Sequence, residues 1–216
     1  MNINGTCVKF SPSVRNLGVT LDSTLSLHQH VMNVCRVAYL ELRGINSIRD
    51  LLSVDAVKIL IHSLVLSHIN YCNSLLVGLP QYLFKRLQGF QNAAARSILR
   101  TSRSKNISPL LQNLHWLPVN RRTLHKVAAL YHTSLSGSGP QYFSDLTHVY
   151  TPARSLCCFS DTCILSTPNV KLKSYGQRFF VYHGPTAWNS LPLALRHEQE
   201  SDCFKRALKT HMFSLN

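Results

Sequence analysis

The side chains that could coordinate a metal ion or carry a reaction are widely spread in this sequence. His28 and His30 are two residues apart, and on a helix such residues point to different faces. The pair Cys157-Cys158, with His148 and Cys163, lacks any Cys-x-x-Cys element, so small buried thiols explain it better than a zinc knuckle. The nine acidic residues are scattered and no two are adjacent, whereas metal-dependent phosphoryl transfer needs clustered carboxylates. The sequence therefore predicts no metal, no cofactor and no catalytic residue.

Positive charge is the unusual property of the composition. The 216 residues carry a formal net charge of +14, which predicts an anionic partner, with nucleic acid first and an acidic membrane surface second. No acidic residue lies between Asp55 and Asp145, although surfaces that serve only solubility mix both signs. The alternative is a basic solvated face without a partner. We predict phosphate contacts from Lys85, Arg86, Arg96, Arg100, Arg103, Lys105, Arg121, Arg122 and Lys126.

The cysteines and the apolar segments bear on localisation. Seven cysteines without regular spacing indicate reduced thiols and an intracellular protein, with nucleus and cytoplasm left open. The first ten residues have neither the basic start nor the apolar block of a signal peptide. The most apolar stretch, 57–80, is interrupted by Lys58, His62, His68 and Asn70, so we expect a buried helix there and no membrane contact.

Hydrophobic periodicity predicts a mainly α fold of the α+β class, a helical bundle preceded by a β-hairpin. We expect the hairpin from residues 7–10 and 14–21, joined by a turn at 11–13, with Gly18 as a bulge or as a place where another backbone comes close. Short strands are expected at 155–159, 163–166 and 178–182, and a last helix capped by Ser201 or Asp202. Trp116 and Trp188 are each expected to be core residues.

Four helices are predicted from apolar spacing between these elements. The first has inward residues at Leu27, Val31, Val34, Cys35, Ala38, Leu42 and Ile45. Ser53 is expected to cap the second, with inward Val54, Val57, Leu60, Ile61, Leu64 and Val65. The third buries Leu83, Leu87, Phe90, Ala94 and Ile98, and its opposite face carries Lys85, Asn92, Arg96 and Arg103, with a loop from Thr101 onward as the alternative for Arg103. A short helix capped by Ser108 precedes the fourth, which has inward Leu124, Val127, Ala128 and Tyr131 and outward Arg121, Arg122, His125 and Lys126.

Several short motifs follow one another in the order found after the palm of reverse transcriptases from long interspersed (non-LTR) retrotransposons. The segments that resemble this family are Val14–Val19, Asn70–Leu76, Gln91–Arg96, Leu114–Val119, Tyr150–Leu156 and Trp188–Pro192. The resemblance implies that Leu17, Gly18 and Val19 belong to a primer-grip-like hairpin within residues 1–25. It implies a helical thumb-like domain at 26–136 and a carboxy-terminal extension at 137–216, with the palm and the endonuclease of such a polymerase missing.

The predicted function is therefore non-catalytic binding of RNA or a DNA duplex. The resemblance implies a fragment that grips primer–template or element RNA by its phosphate backbone, and that once packed against a palm domain. A protein-interaction remnant is one alternative, because a face that covered the palm would expose apolar residues such as Val8 and Val19. A translated transposon relic without function is the other. No membrane partner is expected.

Overall fold

A computed structural model describes residues 11–150, 163–170 and 179–215, together with the backbone of residues 2–3 and 6–7. The chain divides into two compact units, the first made of Met1–Cys72 and Leu79–Lys105, the second of Asn73–Gly78 and Asn106–Asn216. As predicted, it is mainly helical, with an N-terminal antiparallel hairpin and a C-terminal helix. The domain boundaries expected after residues 25 and 136 differ from this division and stay predictions about the resembled polymerase.

The hairpin of the first unit lies at other residues than the sequence pattern predicted. Strand β1 (Asn2–Ile3) pairs with β2 (Thr6–Cys7), and β3 (Ser13–Asn16) pairs with β4 (Val19–Asp22), both antiparallel. The expected pairing of 7–10 with 14–21 was therefore wrong, and residues 8–10 lie outside the described residues.

The turn between β3 and β4 explains this difference. Leu17 and Gly18 both have positive φ, 45° and 81°. Two left-handed residues in succession make the tight hairpin turn whose twist matches that of the flanking strands, and glycine favours it at the second position. Gly18 is thus a turn residue and not a bulge. Val19, expected at an exposed apolar face, is buried, since β4 packs on the first helix.

The helices of the first unit follow their predicted apolar spacing closely. They are α1 (His28–Ser47), α2 (Val54–Leu60), α3 (Ser67–Asn70) and α4 (Gln81–Leu99), with a 3-10 turn at Arg49–Leu51 and a π-helix at Ile61–Leu66. Of the residues predicted inward in α1, Val31, Cys35, Ala38, Leu42 and Ile45 are buried, as is Leu27 just before it, while Val34 is half-buried. In α4 the buried side chains include Leu83, Leu87, Phe90, Ala94 and Ile98.

Helix α2 begins at the predicted cap, but its inward face was predicted only in part. The Ser53 hydroxyl accepts a hydrogen bond from the Ala56 amide at 3.2 Å. Val54 and Leu64, expected inward, are exposed. The π-helix has a wider i→i+5 hydrogen-bond pattern than an α-helix, so the buried position moves from Leu64 to Leu66.

The second unit is a helical cluster around three aromatic side chains. Its elements are the 3-10 turn Asn73–Leu76, α5 (Ser108–Asn113), α6 (Val119–Leu135), α7 (Gln141–Asp145), α8 (Phe180–Asn189), α9 (Leu193–Arg196) and α10 (Ser201–Ser214). Tyr131, Trp188 and Phe204 are fully buried in its core, which confirms the prediction for Trp188; Trp116 is only half-buried. The predicted inward residues Phe204, Leu208 and Met212 of α10 are also buried.

The short strands predicted for this unit are not present among the described residues. Residues 180–182 are helical, so the strand expected at 178–182 was wrong. Gly184 of α8 packs on the buried Tyr131 ring. This packing outweighs the local β preference of aromatic and β-branched residues. Leu165 forms an isolated bridge with Val149, and 155–159 lies outside the described residues.

The N-terminal caps of helices α5 and α10 differ from the predicted residues by one or two positions. Helix α5 begins at Ser108, whose amide donates to the side-chain oxygen of Asn106 at 3.1 Å, so Asn106 and not Ser108 supplies a side-chain acceptor. Helix α10 begins at Ser201 after Glu200, without a side-chain cap.

Candidate nucleic-acid interface

Two of the predicted phosphate contacts lie on the exposed face of α4. Lys85 and Arg86 are exposed; Lys85 lies opposite the buried Leu83 and Leu87, and Arg86 lies at the edge of their buried face. The helical repeat therefore holds the two cations at the surface by burying their apolar neighbours. Neither cation takes part in an ion pair among the described residues.

The predicted cations at the end of α4 differ in their surroundings. Arg100 takes a left-handed conformation (φ 48°) just after the last residue of the helix, and its Nη2 forms an ion pair with Asp50 at 2.8 Å. Arg96 is half-buried, and its Nη2 donates to the Lys105 carbonyl at 3.4 Å. Helix α4 ends at Leu99, so Arg103 lies in the following loop, the alternative expected for it, and not on the outer face of the helix.

This loop presents Arg103 and Lys105 to solvent. The Arg96 contact with the Lys105 carbonyl brings residues 101–105 back toward α4. Within the loop the Lys105 amide donates to the Ser102 carbonyl at 3.3 Å, which closes a turn. Both cationic side chains are exposed, so α4 and the loop together carry four exposed cations besides the ion-paired Arg100.

Arg49, which the sequence did not single out, holds the end of α4 in place. It is buried, and its guanidinium donates to the carbonyls of Ser97 at 3.3 Å, Ile98 at 3.1 Å and Leu52 at 3.2 Å. Carbonyls in the last turn of a helix have no partner within the helix. A buried cation at this position therefore satisfies them and complements the negative end of the helix dipole.

The three predicted cations of the second unit lie on α6. Arg121 and Arg122, expected outward, are half-buried. Arg121 donates to the carbonyls of Met212, at 2.7 Å, and Leu215. Arg122 donates to the Leu117 carbonyl at 2.8 Å. Lys126 is exposed. Both guanidinium groups are thus directed to backbone oxygens of their own unit.

The position of Arg122 also withdraws its charge from solvent. Its guanidinium carbon lies 5.8 Å from the centre of the Trp116 ring, within cation–π range. Burial lowers the pKa of Arg122 to about 10. The half-buried His125 is similarly affected, since burial lowers the pKa of its imidazole.

The outer face of α1 adds cations and an aromatic ring that the sequence interpretation missed. Arg36, Tyr39 and Arg43 are all exposed. Their spacing of three and four residues places them on one side of the helix, and this spacing was the signal available in the sequence. The Tyr39 ring meets the buried Phe90 edge to face, with centroids 5.1 Å apart and planes at 78°. The face therefore lies beside α4.

The predicted primer-grip-like residues form a fixed turn. Leu17 is exposed, and its carbonyl accepts a hydrogen bond from the Tyr71 hydroxyl at 2.6 Å. A Cβ at Gly18 would lie 3.3 Å from the Tyr71 ring, so this turn and the ring are in close contact. Val19 is buried, and the neighbouring Thr20 amide donates to His30 Nδ1 at 3.4 Å. The assignment of these residues to a primer grip stays a prediction.

A separate cavity of about 540 Å³ lies within the second unit. Trp188 and Leu165 supply apolar walls, and the buried His132 also lines it. His132 Nε2 lies 2.8 Å from the Glu198 carbonyl, which can only accept, so Nε2 carries the proton. The ring stacks on Phe204 with centroids 4.2 Å apart. These contacts give His132 a packing role in the core.

Among the described residues, no group of three or more His, Cys, Asp or Glu side chains is arranged to hold a metal ion. In the same part of the chain, no helix combines the length and the apolar character that crossing a membrane requires. The three ion pairs formed by described residues are Asp55–Lys58, Asp50–Arg100 and Asp202–Lys205.

Comparisons of this chain with protein-family models, with curated proteins and with solved structures found no match.

Proposed function

We propose that this chain binds nucleic acid through the phosphate backbone, mainly with the first unit. The observation that carries the proposal is a cationic cluster, defined as Lys85, Arg86, Arg103 and Lys105. All four side chains are exposed and take no part in an ion pair with a described residue. No acidic residue between positions 55 and 145 is available to neutralise them locally. An uncompensated cluster of this kind attracts polyanions.

Backbone contact fits these side chains better than recognition of base sequence. Flexible lysines and arginines on a convex helix face and loop neutralise phosphates without fixing a hydrogen-bond pattern toward base edges. If the four cations each neutralise one phosphate of a duplex, the logarithm of the binding constant falls with the logarithm of salt concentration with a slope of about −3.6. Different sequences are then bound alike.

The wider proposal is that the chain is the thumb-like and carboxy-terminal region of a non-LTR retrotransposon reverse transcriptase. The ordered motifs and the helical fold after a hairpin support it. The sequence has no adjacent pair of acidic residues to hold catalytic metal ions. We therefore expect the purified chain, given primed template, nucleotides and Mg²⁺, to bind without extending the primer; extension would contradict the non-catalytic part of the proposal.

The binding proposal is tested with a labelled duplex and two matched double variants. Lys85→Glu with Lys105→Glu removes two cations of the cluster. Lys58→Glu with Lys209→Glu changes the net charge equally at exposed positions outside it. Fluorescence anisotropy at several salt concentrations should give a slope smaller by about 1.8 for the first variant.

The control variant should keep the wild-type slope within about 0.5. Equal effects of both variants would mean that net charge acts without a site. Affinity that does not depend on salt, or no binding at low salt, would refute the proposed function.

A second candidate is self-association through aliphatic side chains of the first unit. Leu17, Leu51 and Ile59 are 82%, 87% and 68% exposed, and large exposed apolar residues favour association when they are contiguous. Sedimentation distinguishes the two candidates: a monomer that binds nucleic acid supports the first, and a salt-insensitive oligomer supports the second.

A further inference from the structure

Tyr39 is an aromatic side chain set at the edge of the cationic cluster. It is 47% exposed although its ring contacts the core residue Phe90. In an edge-to-face pair the edge of one ring points at a face of the other, and the two rings are not stacked. At least one face of the Tyr39 ring is therefore not covered by Phe90. The contact fixes the ring on its helix, which lowers the entropy that a ligand stacked on it would have to overcome.

Two arginines of the cluster flank this ring. Arg86 lies one helical turn before Phe90 on α4, and so on the side of that helix which meets Tyr39. Burial raises the pKa of Tyr39, and Cys35 adds to this, but Arg103 and Arg86 act in the opposite direction. Both guanidinium groups are therefore close enough to interact electrostatically with the phenol.

The exposed arginines of α1 extend this arrangement along the helix. Arg36 and Arg43 lie on either side of Tyr39 in sequence and about 10 Å apart along the helix axis. The helix's own carboxylate, Glu41, is about 140° around the axis from Arg36. The ring is thus bordered by four arginines, with its helix's carboxylate on another side.

We propose that Tyr39 is a stacking platform for an unpaired base, with Arg86, Arg103, Arg36 and Arg43 holding the flanking phosphates. This inference rests on the proposed function and adds to backbone binding a preference for nucleic acid that offers unpaired bases. An aromatic ring beside cations that bind phosphates is the combination by which single strands are bound without sequence preference, because every base has a π-face. A base paired within a blunt duplex is stacked on its neighbours and cannot use the ring.

The test compares Tyr39→Ala, Tyr39→Phe and the wild type on three labelled probes. These are a single-stranded RNA, a single-stranded DNA of the same sequence and a blunt DNA duplex, each measured by anisotropy. Tyr39→Ala should weaken both single strands by about fivefold or more and change duplex affinity by less than about twofold. Tyr39→Phe should keep wild-type affinity, since its ring is retained. Unequal losses for RNA and DNA would identify the preferred strand.

A second tyrosine supplies the control. Tyr142 on α7 is 60% exposed and lies in the other unit, so Tyr142→Ala should leave all three affinities unchanged. Circular dichroism checks that each variant is folded. Independently of any variant, 5-iodouridine placed in the single strand should crosslink to Tyr39 on irradiation, while the same base inside the duplex should not.

The outcomes separate this inference from the proposed function. Salt-dependent binding that is equally strong after Tyr39→Ala, with no crosslink to Tyr39, would overturn the stacking platform and leave the backbone proposal intact. An equal loss for single strands and duplex would also overturn it, since a stacking residue acts only on unpaired bases. Absence of binding by the wild type would overturn both.

Discussion

Arg49→Ala tests whether a buried arginine supports the helix that carries the cationic cluster. The substitution removes three donors, two of which reach the Ser97 and Ile98 carbonyls at the end of α4, and the third the Leu52 carbonyl. A hydrogen bond to a charged group contributes about 1.5–3 kcal/mol, and the helix dipole adds up to about 1 kcal/mol. Because part of the guanidinium site will fill with water, we expect a loss of about 2–4 kcal/mol in the free energy of unfolding.

The assay has to report on the first unit. Both tryptophans, Trp116 and Trp188, lie in the second unit, so tryptophan fluorescence is a poor probe of this change. Urea unfolding followed by far-ultraviolet circular dichroism measures the loss. Hydrogen exchange on peptides from the second half of α4 locates it, since the freed carbonyls are there.

Two further substitutions give this prediction its controls. Arg49→Lys keeps the charge but not the planar fork that reaches several carbonyls, so it should lose about half as much stability. Arg43→Ala removes an exposed arginine of α1 and should change stability by less than about 0.5 kcal/mol. If Arg49→Ala were no more destabilising than Arg43→Ala, the assigned role of Arg49 would be wrong.

Three more predictions concern packing, pH and the second unit. Gly184→Ala should destabilise the second unit by about 3 kcal/mol, because the new Cβ would lie 1.7 Å from the buried Tyr131 ring. Urea titration followed by tryptophan fluorescence measures this loss. Gly89→Ala, which has open space around the new Cβ, should cause no such loss. Burial alone would raise the pKa of Asp22, but hydrogen bonds to its carboxylate outweigh this and lower the pKa to about 2. The ionised carboxylate therefore stabilises the fold fully above about pH 4, and this stabilisation is lost as the pH falls through about 2. Asp22→Asn should therefore flatten the dependence of the melting temperature on pH between about 4 and 2, and an unchanged curve would contradict this. Arg122→Gln should lower the stability of the second unit by about 1 kcal/mol and leave nucleic-acid affinity within about twofold; a large loss of affinity would show that this residue contacts phosphate.

Long amphipathic helices were predictable because their pattern repeats over many turns. The buried residues of α1 and α4 match the apolar spacing, and Ser53 caps α2 as its residue type indicates. Elements whose conformation depends on only two or three residues were not predictable in this way. The strand expected at 178–182 rested on local β preference, and the packing of α8 against Tyr131 overrides that preference.

The strand register of the hairpin could not be predicted from the sequence pattern for a similar reason. Alternating residues fix which faces of a strand are buried, but not where the chain reverses. The reversal at Leu17 and Gly18 depends on two positive φ angles. The displaced burial around Leu64 depends on the π-helix, which no residue type specifies.

For the candidate interface, a count of charges could not separate arginines that face solvent from those that serve the fold. An arginine is recognised in sequence by its charge, whereas its role is decided by the carbonyls within reach of its five donors. Arg121 and Arg122 each donate to backbone oxygens of the second unit, and Arg100 is paired with Asp50. Exposure thus separates Lys85, Arg86, Arg103 and Lys105 from Arg121 and Arg122, and the ion pair with Asp50 separates them from the exposed Arg100.

This separation locates the proposed activity within the chain. A guanidinium that already donates to partly buried carbonyls cannot move to a phosphate without leaving those carbonyls unpaired, which costs up to about 1–3 kcal/mol for each. A single ionic contact at an exposed site is worth about 0–1 kcal/mol, so exchanging one for the other gives no net gain. The four cations of the cluster have no ion-pair partner of this kind among the described residues. The salt dependence of binding should therefore follow substitutions in the first unit and be nearly indifferent to Arg121 and Arg122, although all of them contribute equally to the net charge of the chain.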